Sequence, residues 1–164
     1  MHKILPLALA LFLAAVSPSR ADLEQDQAVC SSDAGAPAAA VAACTRLIQS
    51  ERLGAEGNAT IFVARGAANV RQRELDRGLA DFSEGIRLDP TLGRAYGGRS
   101  AVFDHQGKSE QAEQDLKDAL RLSSEHALVY FSRAVINGYI GSNAKALAAY
   151  DEAIRLHPKF AEAW

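Results

Sequence analysis

One spacing dominates this sequence: residues of matched size and chemistry recur every 34 positions. Arg65, Arg99 and Arg133 keep that interval, as do Arg87, Arg121 and Arg155, and Leu88, Leu122 and Leu156. The same offset aligns Phe62 with Tyr96, Tyr130 and Trp164, Gly78 with Ala112 and Ala146, Phe82 with Leu116 and Tyr150, Gly85 with Ala119 and Ala153, and Pro90 with Ser124 and Pro158. A fixed period of this length is the mark of a stacked repeat, in which each unit buries its apolar face only against its neighbours. Within the second unit, Ala95, Tyr96, Arg99, Ala101, Val102 and Phe103 follow helical spacing. Gln106-Gly107-Lys108 interrupts them, and Ala112, Leu116, Ala119, Leu120 and Leu122 form a second periodic run. Each unit therefore reads as a helical hairpin. The small columns let its two helices approach, and the aromatic columns fill the space between hairpins. Asp89-Pro90 and His157-Pro158 end the second helices, because the residue before a proline is pushed out of the α region.

These columns resemble the tetratricopeptide repeat. The resemblance covers residues 59–160 as three units, 59–92, 93–126 and 127–160, with residues 161–164 starting a fourth. It departs at Arg65, Arg99 and Arg133, which stand where the family pattern has Leu; a long Arg stem can cover apolar surface while its head stays wet. The resemblance implies an all-α fold, a right-handed superhelical solenoid of antiparallel hairpins. It also implies that the first helices line a concave groove, with Val63, Ala67, Val70 and Arg71, then Gly97, Ala101, Asp104 and His105, then Phe131, Val135, Gly138 and Tyr139 facing a ligand. Arg94, Arg71 and His105 give that surface a positive edge, and Phe131 and Tyr139 are its aromatic anchors. Val63, Ala67 and Gly97 do not match the Lys and Asn of the family's carboxylate-clamp members, so a clamp for chaperone tails is not predicted.

The ends diverge from the period. Met1, His2 and Lys3 precede an uncharged run, Ile4–Val16, and Ser19-Arg20-Ala21 has small residues where a signal peptidase reads, so residues 1–21 are expected to be a signal peptide. The run is too short for a stable transmembrane anchor. Removing it takes Lys3 and Arg20 and no acid, so the 18 basic residues fall to 16 against 20 acidic ones. That balance gives no electrostatic case for a nucleic-acid partner. The expected location is periplasmic or secreted. There Cys30 and Cys44 should pair, which is worth about 3 kcal/mol for a loop of this size. Two cysteines with no histidine nearby make a poor zinc site. Residues 22–58 read as a divergent N-terminal hairpin: a first helix over 23–33, a second starting at Pro37 with the stripe Ala40, Val41, Cys44, Leu47 and Ile48, and a loop over 54–58.

Chemistry is sparse. His105, His126 and His157 form no metal or nucleophile spacing, and Asp81, Glu84, Asp115, Asp118 and Glu152 read as a solvated helix face beside the Arg87 column. Gly97-Gly98 has no phosphate-loop context. No catalytic residue, metal or cofactor is assigned. The expected function is a non-enzymatic scaffold of the cell envelope that binds a protein or peptide in its groove. The alternative is an assembly module that self-associates, as a homodimer for example, through the open C-terminal face of Ala146, Leu147, Tyr150, Ala153, Ile154 and Trp164. A chain cut from a longer repeat protein would leave the same open face.

Overall fold

The computed structural model describes residues 19–50 and 52–159. Of the expected signal peptide, residues 1–18 lie outside the described residues, as does Trp164 with the start of a fourth unit; its last residues, Ser19, Arg20 and Ala21, are described and form the cap and start of the first helix. Among those residues the chain is helical, in the order α1 (Arg20–Cys30), α2 (Pro37–Gln49), α3 (Ala55–Arg71), α4 (Leu75–Leu88), α5 (Gly93–His105), α6 (Ser109–Leu122), α7 (His126–Ile140) and α8 (Asn143–Leu156). Consecutive helices pack as four hairpins, each stacked on the next.

Three of these hairpins carry the 34-residue period, and their turns repeat it too. Arg73, Gly107 and Gly141 occupy equivalent positions, and all three have left-handed backbone, with φ of 67°, 75° and 90°. The residue after each one donates its amide to a carbonyl of the first helix: Glu74 to Asn69, Lys108 to Phe103, and Ser142 to Asn137, at 2.8–2.9 Å.

Two boundaries differ from the sequence expectation. The first helix runs from Arg20 to Cys30 rather than over 23–33, because a capping box at Ser19 and Asp22 fixes its start: Asp22 N–H donates to Ser19 Oγ and Ser19 N–H to the Asp22 carboxylate. Helix α3 starts at Ala55, capped by Gly54, so most of the expected 54–58 loop is its first turn. The N-terminal pair is joined twice. Cys30 and Cys44 form the expected disulfide, with Cα atoms 4.9 Å apart. Arg46 Nε also donates to the buried Asp26 carboxylate at 2.9 Å.

The core lies where the middle hairpins meet. Helix α5 is buried almost all round, with Ala95, Tyr96, Gly98, Ser100, Ala101 and Val102 all enclosed. Phe82 of α4 is fully buried and reaches between α3 and α5. A Cβ on Gly66 would sit 2.9 Å from its ring, and one on Gly98 would sit 2.8 Å away. Helices α5 and α7 touch backbone to backbone: a Cβ on Gly97 would lie 2.1 Å from the carbonyl oxygen of Val129, and one on Gly93 would lie 2.7 Å from the Val129 side chain.

The arginine column does not keep its heads wet. Arg65 and Arg99 donate to Asp81 and Asp115, sixteen residues on, through Nη2 at 2.7 and 2.6 Å, and both carboxylates are buried. Asp81 and Asp115 are therefore not part of a solvated face. They are the anchors that let the arginines be drawn in, since an ion taken from water needs a partner. Each arginine also reaches the preceding hairpin, Arg65 to Thr45 Oγ1 at 3.2 Å and Arg99 to Ser83 Oγ at 3.1 Å. The other three acids keep the expected role: Glu84, Asp118 and Glu152 pair on the surface with Arg87, Arg121 and Arg155, three residues on.

The solenoid also closes on itself. The turn between α1 and α2 folds over the inner side of the stack, where Arg71 Nη2 donates to the Gly35 carbonyl at 2.7 Å and the Arg71 guanidinium lies 5.6 Å from the centre of the Tyr139 ring. Arg73 Nη1 donates to the Ile140 carbonyl at 2.9 Å, so the end of α3 meets the end of α7. Burial pushes the Tyr139 phenol far above its ordinary range, and a hydrogen bond with the Asp33 side chain adds to the rise.

Two outcomes follow from this packing. Gly97→Ala should lower the unfolding free energy by on the order of 1–3 kcal/mol, since the obstacle is backbone and cannot swing aside. Gly138→Ala, on the same stack but with nothing within 4 Å of its new methyl, should be neutral or stabilising by up to about 1 kcal/mol. Urea unfolding of the two variants measures both, and a Gly97→Ala protein as stable as the parent would refute the close approach. For Tyr139, a folded pKa above the unfolded value of about 10 means that its contribution is complete below pH 10 and lost as pH rises through the folded value. The melting temperature of the parent should therefore fall more steeply above pH 10 than that of Tyr139→Phe; equal slopes would remove the buried phenol from the closure.

Candidate functional site

The inner side of the stack holds a cavity of about 210 Å³, formed by five pieces of chain. Helix α3 gives Thr60, Val63, Ala64 and Ala67. Helix α7 gives Phe131, Ser132, Val135 and Ile136. Arg94 enters from α5, Phe82 forms the floor, and Cys30, Ser31 and Asp33 close one side. The helical parts follow from periodicity: Val63 and Ala67, like Phe131 and Val135, are four apart and share a face of their helix. The closing side follows from the disulfide, which holds the end of α1 against α2, so that residues 31–36 turn back over α3.

The walls are apolar and the rim is polar. Ser132 Oγ donates to the Arg94 carbonyl at 2.8 Å, which fixes the start of α5 against α7. Arg94 Nε is buried without a hydrogen-bond partner among the described residues. Phe131 packs in a tilted contact with Tyr150 of α8, ring centres 5.9 Å apart, so the cavity wall is continuous with the last hairpin. At this volume the cavity is smaller than a typical small-molecule site of roughly 300–1,000 Å³. It suits one or two apolar side chains, with a cation at the edge for an acceptor.

The structure brings together five of the thirteen groove residues expected from sequence: Val63, Ala67, Arg94, Phe131 and Val135. Arg71 and Tyr139 lie under the α1–α2 turn and make the closure described above. Val70, Gly97 and Ala101 are corrections. Val70 and Ala101 are fully buried in the central core, and Gly97 is pressed against α7. Val70 of α3 is covered by α4, where Gly78 admits it, and on α5 the reason is its contact with α7: two backbones that touch leave no inner face on α5 beyond Arg94. His105 is exposed at the end of α5 and does not line the cavity. Asp104, expected in the groove, accepts from Arg133 Nη2 at 2.9 Å and pairs with Lys145 at 3.1 Å. Burial alone would raise its pKa, and the two cations outweigh that and hold it below the usual carboxylate range. Gly138 is exposed. Sequence reasoning missed Ser31, Asp33, Thr60 and Ser132. The first two lie outside the period, and the others are polar residues on helix faces whose apolar neighbours carry the signal.

No family model matches the chain. A Homo sapiens protein described as tetratricopeptide repeat protein 6 is 34% identical over 83 residues, which are 51% of this chain and 16% of that protein. The chain thus spans a small part of that relative's length. Among solved structures, the crystal structure of MamA superposes with a TM-score of 0.56 at 18% identity, over 86% of this chain and 79% of that one. The 34-residue register, the stacked hairpins and these two likenesses agree on one architecture, an all-α solenoid of tetratricopeptide-like helical hairpins.

Proposed function

We propose that the chain is a non-enzymatic scaffold of the cell envelope that binds a protein or peptide by taking its side chains into the cavity between α3 and α7. The observation that carries this reading is a preformed apolar recess with a buried, unpartnered Arg94 Nε at its edge. Such a recess accepts an aromatic or aliphatic anchor, and a backbone carbonyl or carboxylate beside that anchor would satisfy the arginine. Export supports the cell-envelope assignment: the N-terminal residues read as a signal segment, and the Cys30–Cys44 disulfide persists in an oxidising compartment.

A second reading rests on the last hairpin. Leu147 is 66% exposed and Ile154 is 39% exposed on α8, and Leu120 on α6 is also open. An assembly module would use that face to join another copy or another repeat array.

The two readings separate by mutation. Partners captured from periplasmic extract, identified by mass spectrometry and then titrated as purified proteins, should bind at least about tenfold more weakly to Ala67→Glu, which fills the recess with a charge, and to Phe131→Ala, which removes its aromatic wall. Leu147→Asp should leave that binding unchanged. Unchanged affinity in the recess variants would overturn the groove reading, and loss of self-association in Leu147→Asp alone would favour the assembly module.

A further inference from the structure

The three repeats treat one position differently. In the first, Arg65 Nε lies 3.1 and 3.2 Å from the Asp81 carboxylate oxygens and Asn69 Nδ2 donates to that carboxylate at 2.8 Å. In the second, Arg99 Nε donates to Asp115 at 2.9 Å. The third repeat keeps the donors, Arg133 and Asn137, at the same register, and has Ala149 where the carboxylate should stand. The donors are left accordingly. Arg133 Nε, and both polar atoms of the Asn137 amide, are buried with no hydrogen-bond partner among the described residues, and Asn137 is 0% exposed. Native proteins leave few such groups unsatisfied, because a buried amide without a partner has lost its water and gained nothing in exchange.

Over Ala149 the structure has a cleft of about 160 Å³ lined by Tyr130, Arg133, Lys145, Ala148 and Ala149. Its counterpart in the first repeat is lined by Arg65, Asn69, Arg77, Ala80 and Asp81, with Val41 and Thr45 of α2; Asn69 lines that cleft, whereas Asn137 is fully buried and does not line the third. Lys145 thus stands where Arg77 does. Asp104 neutralises one of the two cations of the third cleft, holding Arg133 through Nη2 and Lys145 through Nζ, and leaves Arg133 Nε unused.

We propose that the cleft over Ala149 binds a carboxylate, seated where Asp81 and Asp115 sit in the preceding repeats and held by Arg133 Nε and Asn137 Nδ2, with Lys145 at the mouth. The occupant is a small carboxylic acid or the acidic side chain of a peptide; both present the same two oxygens. The site lies outside the α3–α7 cavity and does not depend on the function proposed for it.

The test uses the whole protein and the side-chain amide resonances of Asn137. Acetate titrated against chloride at constant ionic strength should shift the Asn137 amide in a saturable way, with half-saturation in the millimolar range that suits one small ion. An acetylated Gly-Asp-Gly amide should do the same and Gly-Asn-Gly should not; tighter binding of the peptide than of acetate marks a protein side chain as the occupant, and the reverse order marks a free acid. Ala149→Asp should abolish the response by supplying the carboxylate from within, and should raise the melting temperature by roughly 2–4 °C, while Ala149→Asn should not raise it. An Asn137 amide unmoved by acetate and by both peptides, or moved equally by chloride, overturns the proposal. So does a lower melting temperature in Ala149→Asp.

Discussion

Everything in the stack turns on how Phe82 is seated. Its ring is fully buried between two helices of different hairpins, and both meet it with glycine, Gly66 on α3 and Gly98 on α5. An interior packed to crystal-like density leaves no slack for a methyl on either side. The ring therefore sets how far apart the first and second hairpins stand, and it also forms the floor of the inner cavity. The other repeats solve the same problem with different sizes. Leu116 replaces Phe82 in the second, where Ser100 and Ser132 stand at the two glycine positions, and Tyr150 replaces it in the third, where Ala134 stands at the first of them. In the second repeat a smaller wedge goes with larger seats.

That trade explains why the fold was legible in the sequence. Steric columns repeat because each unit must present the same outline to its neighbour, so Gly78, Phe82, Gly85 and their counterparts announce the hairpin without reference to anything distant. The arginine column was equally visible, and its meaning was not. Arg65 and Asp81 are sixteen residues apart across a turn, and nothing in a helical spacing of three or four links them. With the acids taken as a solvated face, the arginines had only their stems to contribute. The structure shows the reverse assignment for Asp81 and Asp115: a paired, buried charge in each of two repeats. The hydroxyls of Thr45 and Ser83 then carry each arginine across to the hairpin before it. Removing one partner from such a pair strands the other, so these ties fix the register between hairpins more than they add to stability.

The candidate site was half legible for a related reason. Val63, Ala67, Phe131 and Val135 follow from the repeat, because a common outline gives each first helix the same inner face. Helix α5 breaks that rule at Gly97, where the absence of a side chain lets α7 press onto the backbone and cover the positions expected to face a ligand. A glycine pair on a helix face was visible in the sequence, and the neighbour it admits was not. The closing turn of residues 31–36 was out of reach altogether. It lies in the divergent hairpin, where no second copy exists against which to compare it.

Position 73 shows how the closure is held. The second and third repeats have glycine in the left-handed turn, and the first has an arginine, in a conformation that disfavours an L-residue by about 1–2 kcal/mol. The strain is offset by what the side chain reaches, the carbonyl of Ile140 at the end of α7, where a helix dipole favours a cation. The two are sixty-seven positions apart in the sequence. Together with Arg71 on Gly35 and the Asp33–Tyr139 contact, this bond gathers the first, second and last pieces of the solenoid at one end of the cavity. Apart from Asp33, which does both, the groups that close the cavity are thus different from the groups that line it. A change at Ala67 or Val135 alters the shape of the recess without touching the contacts that keep it shut, so the wall can vary while the stacking of the hairpins stays fixed.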